Sequence, residues 1–172
     1  MQKRHARATL PPDAGERLKR IRLVCFDVDG VLTDGHLYFL PNGEWSQRFY
    51  VRDGYGIKLL QQAGVEIAIL SSGDVRSGRA RAESLGIKHV HFGVTDKASK
   101  FAELAKNVGV SAPEAAFMGD ELVDIPLLQQ VGFGATVPDA VEEVRAAAHY
   151  VTQRRGGEGA VREICDLIRN HR

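Results

Sequence analysis

In the stretch LVCFDVDGVLTDG, residues 23–35, an apolar run ends in Asp27 and a second carboxylate, Asp29, follows two positions later. A buried carboxylate is costly unless it is paired or bound to a metal, so two acids at the mouth of the most apolar strand need a chemical reason. Three further stretches supply partners: the hydroxyls of LSSG (Ser71 and Ser72), Lys97 in TDK, and the acidic GDELVD that carries Asp120, Glu121 and Asp124. A capped turn would explain DVDG alone, since Asp and Gly are common where strands end. It does not explain why acid, hydroxyl, amine and acid recur in this order. Phosphoryl transfer uses all of them. Asp27 and Asp120 can hold a hard cation through oxygen, and Mg²⁺ is typically bound by one or two carboxylates together with phosphate and water. The cation offsets the repulsion between the acids and keeps Asp27 ionised, as a nucleophile requires. Lys97 and a serine hydroxyl can neutralise and position the phosphoryl oxygens, which is most of what this reaction asks of a protein.

The elements that must position these residues alternate along the chain. RLVCFDV reads as the first strand, preceded by a short helix in PDAGERLKRI. HLYFLPNGEWSQRFYV has two apolar-aromatic runs around an Asn-Gly turn signal, so residues 36–51 are expected to form a β-hairpin. From Gly54 onward helical and strand patterns alternate: GIKLLQQAG, VEIAIL, VRSGRARAESLG, HVHF, KASKFAELAKNVG, AAFM, DIPLLQQVG, FGAT, DAVEEVRAAA, HYV and a last helix in GAVREICDLIRNH. Short apolar strands separated by amphipathic helices imply a parallel sheet covered on both faces, a Rossmann-like αβα sandwich. Ligands bind such sheets beyond the carboxyl ends of the strands. Asp27, Asp29, Ser71 and Asp120 follow strand ends and Lys97 opens the helix after HVHF, so the polar residues converge on one edge.

The 172 residues suit a single domain with its own core, and the formal net charge of +1 gives no support to a nucleic-acid or anionic-membrane partner. The basic cluster QKRHARAT is expected to be a flexible tail, residues 1–11. No run reaches the roughly 18 apolar residues of a membrane span, and no signal peptide is visible. Cys25 and Cys165 lie in apolar contexts and form no disulfide framework, which fits a cytoplasmic protein. His89 and His91 could form one face of a metal site, but without other ligands nearby they read as ordinary strand residues.

DVDGVLTDG, LSSG, TDK and GDELVD, in this order and spacing, resemble the four motifs of the haloacid dehalogenase superfamily of phosphatases. From about Leu18 onward, including FYVRDGYGI and GGEGAVREICDLI, the chain resembles the 3-deoxy-D-manno-octulosonate 8-phosphate phosphatases within it. The resemblance implies a capless, homotetrameric, Mg²⁺-dependent phosphatase of a phosphorylated eight-carbon sugar acid, acting in lipopolysaccharide precursor synthesis. It implies that Asp27 forms an aspartyl-phosphate, that Asp29 protonates the leaving oxygen and then activates water, and that Lys97 and Ser71 contact the phosphoryl group. The metal would be held by Asp27, Asp120 and the backbone carbonyl of Asp29. Arg52, Asp53 and Gly54 would lie near the substrate, although FYVRDGYG could equally be a strand leading into a helix capped by Asp53. Ser72 competes with Ser71 for the hydroxyl role. The chain departs from the family pattern at Ser72-Gly73, where Gly-Arg is usual, and at Glu158, where some members carry Arg; Arg154 and Arg155 are the candidates to replace that charge. Glu121 stands where a second Asp is common, and Asp124 is either a supporting acid or a helix-face residue.

The offset of Asp29 separates this reading from dehalogenation, because halide departs without a proton. The remaining rivals are a nine-carbon keto-sugar-acid phosphatase, a broad sugar phosphatase, and a non-catalytic oligomerisation module. No insertion of domain size lies between the motifs, so a lid against water would have to come from oligomerisation. The aromatic hairpin would make the contacts, and the glycine-rich tails would close adjacent sites.

Overall fold

The computed structural model describes residues 9–172, so most of the expected basic tail lies outside the described residues. Six strands form one parallel sheet: β1 Leu23–Phe26, β4 Glu66–Leu70, β5 His89–His91, β6 Ala115–Met118, β7 Phe133–Thr136 and β8 Tyr150–Val151, in the order β5-β4-β1-β6-β7-β8. Every residue of β1, β6 and β7 is buried, as expected of strands covered on both faces. β1 sits between β4 and β6, with Phe26 in register with Ile69 on one side and Met118 on the other.

From β1 the chain runs outward through α2 Val51–Gln62 and α3 Arg76–Ser84 to β5. It returns through α4 Lys97–Val108 and proceeds to the other edge through α5 Ile125–Gln130 and α6 Glu142–Ala147. Right-handed crossovers in opposite directions put these two sets of helices on opposite faces. The packing agrees: α1 Ala14–Lys19 and α2 both meet the terminal helix α7 Ala160–Asn170, while α5 meets α4 and α6. The reversal at β1 opens a crevice beyond its carboxyl end, the usual place for a ligand in such a sheet.

The hairpin is present, with strands shorter than the apolar runs suggest: β2 Tyr38–Phe39 pairs with β3 Trp45–Ser46 around a turn in which Gly43 has φ +83°. A bridge between Thr33 and Phe49 fastens its base to the loop after β1. Helix α2 starts at Val51, three residues before the expected Gly54, because Tyr50 is extended and takes the N-cap position. Asp53 therefore stands inside the first turn of α2. Its Oδ1 accepts from the Arg162 amide at 2.8 Å, one of the first-turn N–H groups of α7 that no helical carbonyl can reach. Asp53 caps α7, not α2. Between β1 and α2 the hairpin is the only added element, so no cap domain covers the crevice.

Candidate active site

Strand β1 stops at Phe26, but the Asp27 amide still donates to Met118 O at 2.9 Å, which fixes Asp27 at the boundary between β1 and β6. The residue is 6% exposed; its carboxylate Oδ1 accepts from the Val28 amide at 2.7 Å and Oδ2 from Lys97 Nζ at 2.7 Å. Lys97, 1% exposed, also donates to Asp124 Oδ1 at 2.6 Å, and Asp124 Oδ2 in turn accepts from the Asp120 and Glu121 amides at 3.0 and 3.1 Å. Asp124 thus ties the GDELVD loop to Lys97 and is no surface acid. Glu121 is exposed and accepts from the Leu122 amide at 2.7 Å, its own turn's cap.

Burial pushes the Asp27 carboxyl upward, against the opposing pull of Lys97, and the Asp124 charge adds to the rise. For Lys97, burial alone would favour the neutral amine, but Asp27 and Asp124 outweigh it and hold it charged. Asp120 is pushed up to about 8 by burial first, then by the charges of Asp27 and Asp124. Three carboxylates therefore face one amine. Asp27, Asp120 and Asp124 each present an oxygen within 4.8 Å of the others, and they form the one such acidic, His or Cys group among the described residues. Gly30 makes room for it: with φ +76°, it has no Cβ to overlap the Asp120 carboxylate.

Asp29 lies outside that cluster. Its Oδ1 accepts from Gln47 Nε2 at 2.6 Å, and Gln47 Oε1 accepts from Ser77 Oγ at 2.9 Å. Ser71 is fully buried beyond β4, and its hydroxyl has no partner among the described residues, whereas Ser72 is exposed and spends its hydroxyl on Val94 O at 2.9 Å. A buried, unpaired hydroxyl is costly unless a ligand completes it. The geometry favours Ser71 over Ser72 for the phosphoryl contact.

Residues 89–164 match the model of a family of haloacid dehalogenase-like hydrolases. Over 156 residues the chain is 42% identical to the 3-deoxy-D-manno-octulosonate 8-phosphate phosphatase of Yersinia pestis, covering 91% of this chain and 83% of that protein. The chain belongs to the 3-deoxy-D-manno-octulosonate 8-phosphate phosphatase family. Solved structures agree. One is the Moraxella catarrhalis phosphatase of that name in complex with magnesium, phosphate and KDO, with TM-score 0.91 at 37% identity over 93% of this chain and 92% of that one. Another is the cobalt-bound Haemophilus influenzae enzyme, with TM-score 0.86 at 41% identity over 90% of this chain and 91% of that one.

The residues present fit the divalent cation this family implies. The Asp120 carboxylate takes no hydrogen bond from the described residues, and Asp27 has a lone pair to spare beside its two donors, whereas both oxygens of Asp124 are committed to Lys97 and to two amides. Asp27 and Asp120 are the carboxylates able to hold the ion, with Asp124 placing both loop and lysine. One oxygen of the Asp29 side chain, Oδ1, is taken by Gln47, and the group Asp29 can offer the ion is its backbone carbonyl. His89 and His91 are half-buried in β5, away from this group; His89 faces Glu66 at 3.5 Å.

The expected substrate wall is only partly assembled. Asp53 is 1% exposed and occupied with α7, and Gly54 is buried where an added Cβ would overlap Arg81 of α3. Both serve helix packing, and α2 begins early enough to turn them inward. Arg52 and Arg155 are exposed and available. Glu158 sits 3.6 Å from Arg48, which also pairs with Asp34 at 2.9 Å, in an open depression of about 320 Å³ shared with Tyr50, Arg154 and Gly157. The glycine-rich segment packs on its own chain: the Gly157 amide donates to Val31 O at 3.1 Å, and Gly156 is too close to Gly30 O to carry a Cβ. Sequence reasoning missed Gln47 and Ser77. The one signal was a lone amide inside an aromatic run, SQRFY, where a strand facing solvent would carry any polar residue.

Proposed function

We propose that the protein is a Mg²⁺-dependent phosphomonoesterase that hydrolyses 3-deoxy-D-manno-octulosonate 8-phosphate through an aspartyl-phosphate, a step in lipopolysaccharide precursor synthesis. The observation that carries this reading is the Asp27–Lys97–Asp124 arrangement at the end of β1, a buried carboxylate held by a buried amine, supported by the buried Ser71 hydroxyl, without a partner among the described residues, just past the end of the adjacent strand β4. When bound, the cation supplies charge neutralisation at the phosphoryl oxygens and keeps Asp27 ionised. An Asp27 oxygen attacks phosphorus and the bond from phosphorus to the sugar oxygen breaks, while Asp29 gives its proton to that oxygen. Water then attacks the phosphorus of the aspartyl-phosphate, Asp29 takes up a proton from it, and the bond to Asp27 breaks, releasing inorganic phosphate and restoring both acids. Lys97 and Ser71 hold the equatorial oxygens throughout. Arg52 and Arg155 are the candidates for the carboxylate of the sugar acid.

The open crevice calls for a cover. Phe39, Trp45 and Leu37 are 64%, 52% and 51% exposed on the hairpin, an apolar surface suited to burial against other copies of the chain. A homotetramer built on these hairpins, in which neighbouring subunits close each site, is the assembly this reading includes. Buried, unpaired Cys25 and Cys165 suit a cytoplasmic enzyme; no helix among the described residues is long and apolar enough to cross a membrane.

The test is phosphate release from a panel of sugar phosphates with the eight- and nine-carbon acids side by side, with and without Mg²⁺. The eight-carbon acid phosphate is expected to lead the panel, chelation to abolish release, and Asp27→Asn to remove turnover while thermal unfolding stays close to the parent's. Substantial turnover by that variant would remove Asp27 from the nucleophile role, and a panel led by another sugar would reassign the substrate.

A further inference from the structure

Among the hairpin's polar side chains Gln47 alone is buried, 8% exposed, although it belongs to an element that otherwise projects into solvent. A glutamine amide has a donor end and an acceptor end, and both are used. Nε2 donates to Asp29 Oδ1 at 2.6 Å, and Oε1 accepts from Ser77 Oγ, on α3, at 2.9 Å. The reverse orientation would set the amide oxygen against a carboxylate. The carboxylate therefore fixes which end of Gln47 meets Asp29, and Ser77 donates to the other end and holds the amide in place. Around the other carboxylate oxygen the structure does the opposite: Gly73 leaves Oδ2 uncovered, since a Cβ there would lie 2.7 Å from it. One oxygen of Asp29 is held and the other is left free.

We propose that Gln47 is a positioning residue for proton transfer. By occupying Oδ1 it presents Oδ2 as the oxygen that carries the proton to the departing sugar, with Ser77 holding the amide in the donating orientation. The proposal rests on the phosphatase reading above and deepens it. It also gives the hairpin a second task, since Arg76 of α3 pairs with Glu44 of the hairpin turn at 2.7 Å and keeps Gln47 and Ser77 in step.

A sugar alkoxide is a poor leaving group that needs the proton, whereas 4-nitrophenolate departs without one. The test compares kcat/KM, which reads the chain of events up to formation of the aspartyl-phosphate, for the sugar-acid phosphate and for 4-nitrophenyl phosphate. Gln47→Glu keeps the shape and removes the donor. It is expected to lower kcat/KM for the sugar-acid phosphate by about tenfold or more relative to that for the nitrophenyl ester, a fraction of what general acid catalysis is worth. Ser77→Ala, which leaves the amide in place but unsupported, is expected to move the same ratio in the same direction by less. If Gln47→Glu does not fold, Ser77→Ala carries the comparison alone. An equal fall for both compounds would mark Gln47 as structural only and overturn the proposal, as would an unchanged ratio. A parent protein inactive on both compounds would overturn the phosphatase reading itself, and this proposal with it.

Discussion

Lys97 occupies the first position of α4, where a positive charge meets the positive end of the helix dipole. Nothing about the helix favours it there. Asp96, the N-cap, accepts from the Ser99 amide at 2.9 Å and offsets part of the conflict. The rest is offset by Asp27 and Asp124, which reach the same amine from β1 and from the turn before α5. Removing one partner from a buried ion cluster leaves uncompensated charge, so Lys97→Met should lower stability by about 3–5 kcal/mol at neutral pH, read by urea unfolding without divalent cations. The loss should shrink in acid, where the two carboxylates can protonate, and turnover should fall by about 100-fold or more as the phosphoryl oxygens lose their cation. A variant as stable as the parent would show that this cluster does not hold α4 to β1. The catalytic part of this was readable from TDK and GDELVD. That Asp124 shares the lysine was not, because the turn bringing its carboxylate inward depends on how α5 packs beneath β6.

At the scale of elements, the packing of α2 on α7 rests on a carboxylate in an apolar setting. Burial raises Asp53 from its ordinary 3.8 to about 6, although amide hydrogen bonds from Arg162 and Gly159 pull the other way. Because the folded value is the higher one, folding favours the protonated form. The contribution is fully present below about pH 4 and is lost as pH rises through about 6. Asp53→Asn keeps an acceptor for the Arg162 amide and cannot ionise. Its unfolding midpoint should therefore improve relative to the parent's as pH rises from about 4 to about 7; a difference independent of pH would show that Asp53 is not strained by ionisation. The helices themselves were legible from apolar periodicity and glycine stops. The start of α2 was not, because Asp53 looked like a local cap. Its true partner lies 109 positions away, at the head of α7.

At the scale of the whole molecule, the crevice that holds the acidic cluster and Lys97 is open on one side. The Phe39 and Trp45 rings meet tilted at 58° with centroids 4.9 Å apart, yet both stay exposed. An isolated two-stranded hairpin is marginal in water, so its aromatic surface is expected to be covered by further copies. Sedimentation at working concentration should show an oligomer, and Phe39→Asp combined with Trp45→Lys should shift it towards monomer with reduced turnover. A fully active monomer would defeat the idea that neighbours close the site.

By itself the sequence determined the alternating fold, the edge on which the polar residues gather, and that Asp27, Lys97 and Asp120 come to that edge. Those follow from local patterns: an apolar run ends where the strand ends, and a parallel sheet brings all such ends together. Only the tertiary structure decided which polar groups meet there. Gln47 reaches Asp29, Ser71 finds no partner among the described residues while Ser72 does, and Asp53 caps α7. The reason is physical: burial of apolar surface depends on spacing within one segment, whereas a buried hydrogen bond depends on the relative placement of two segments, which spacing alone does not specify.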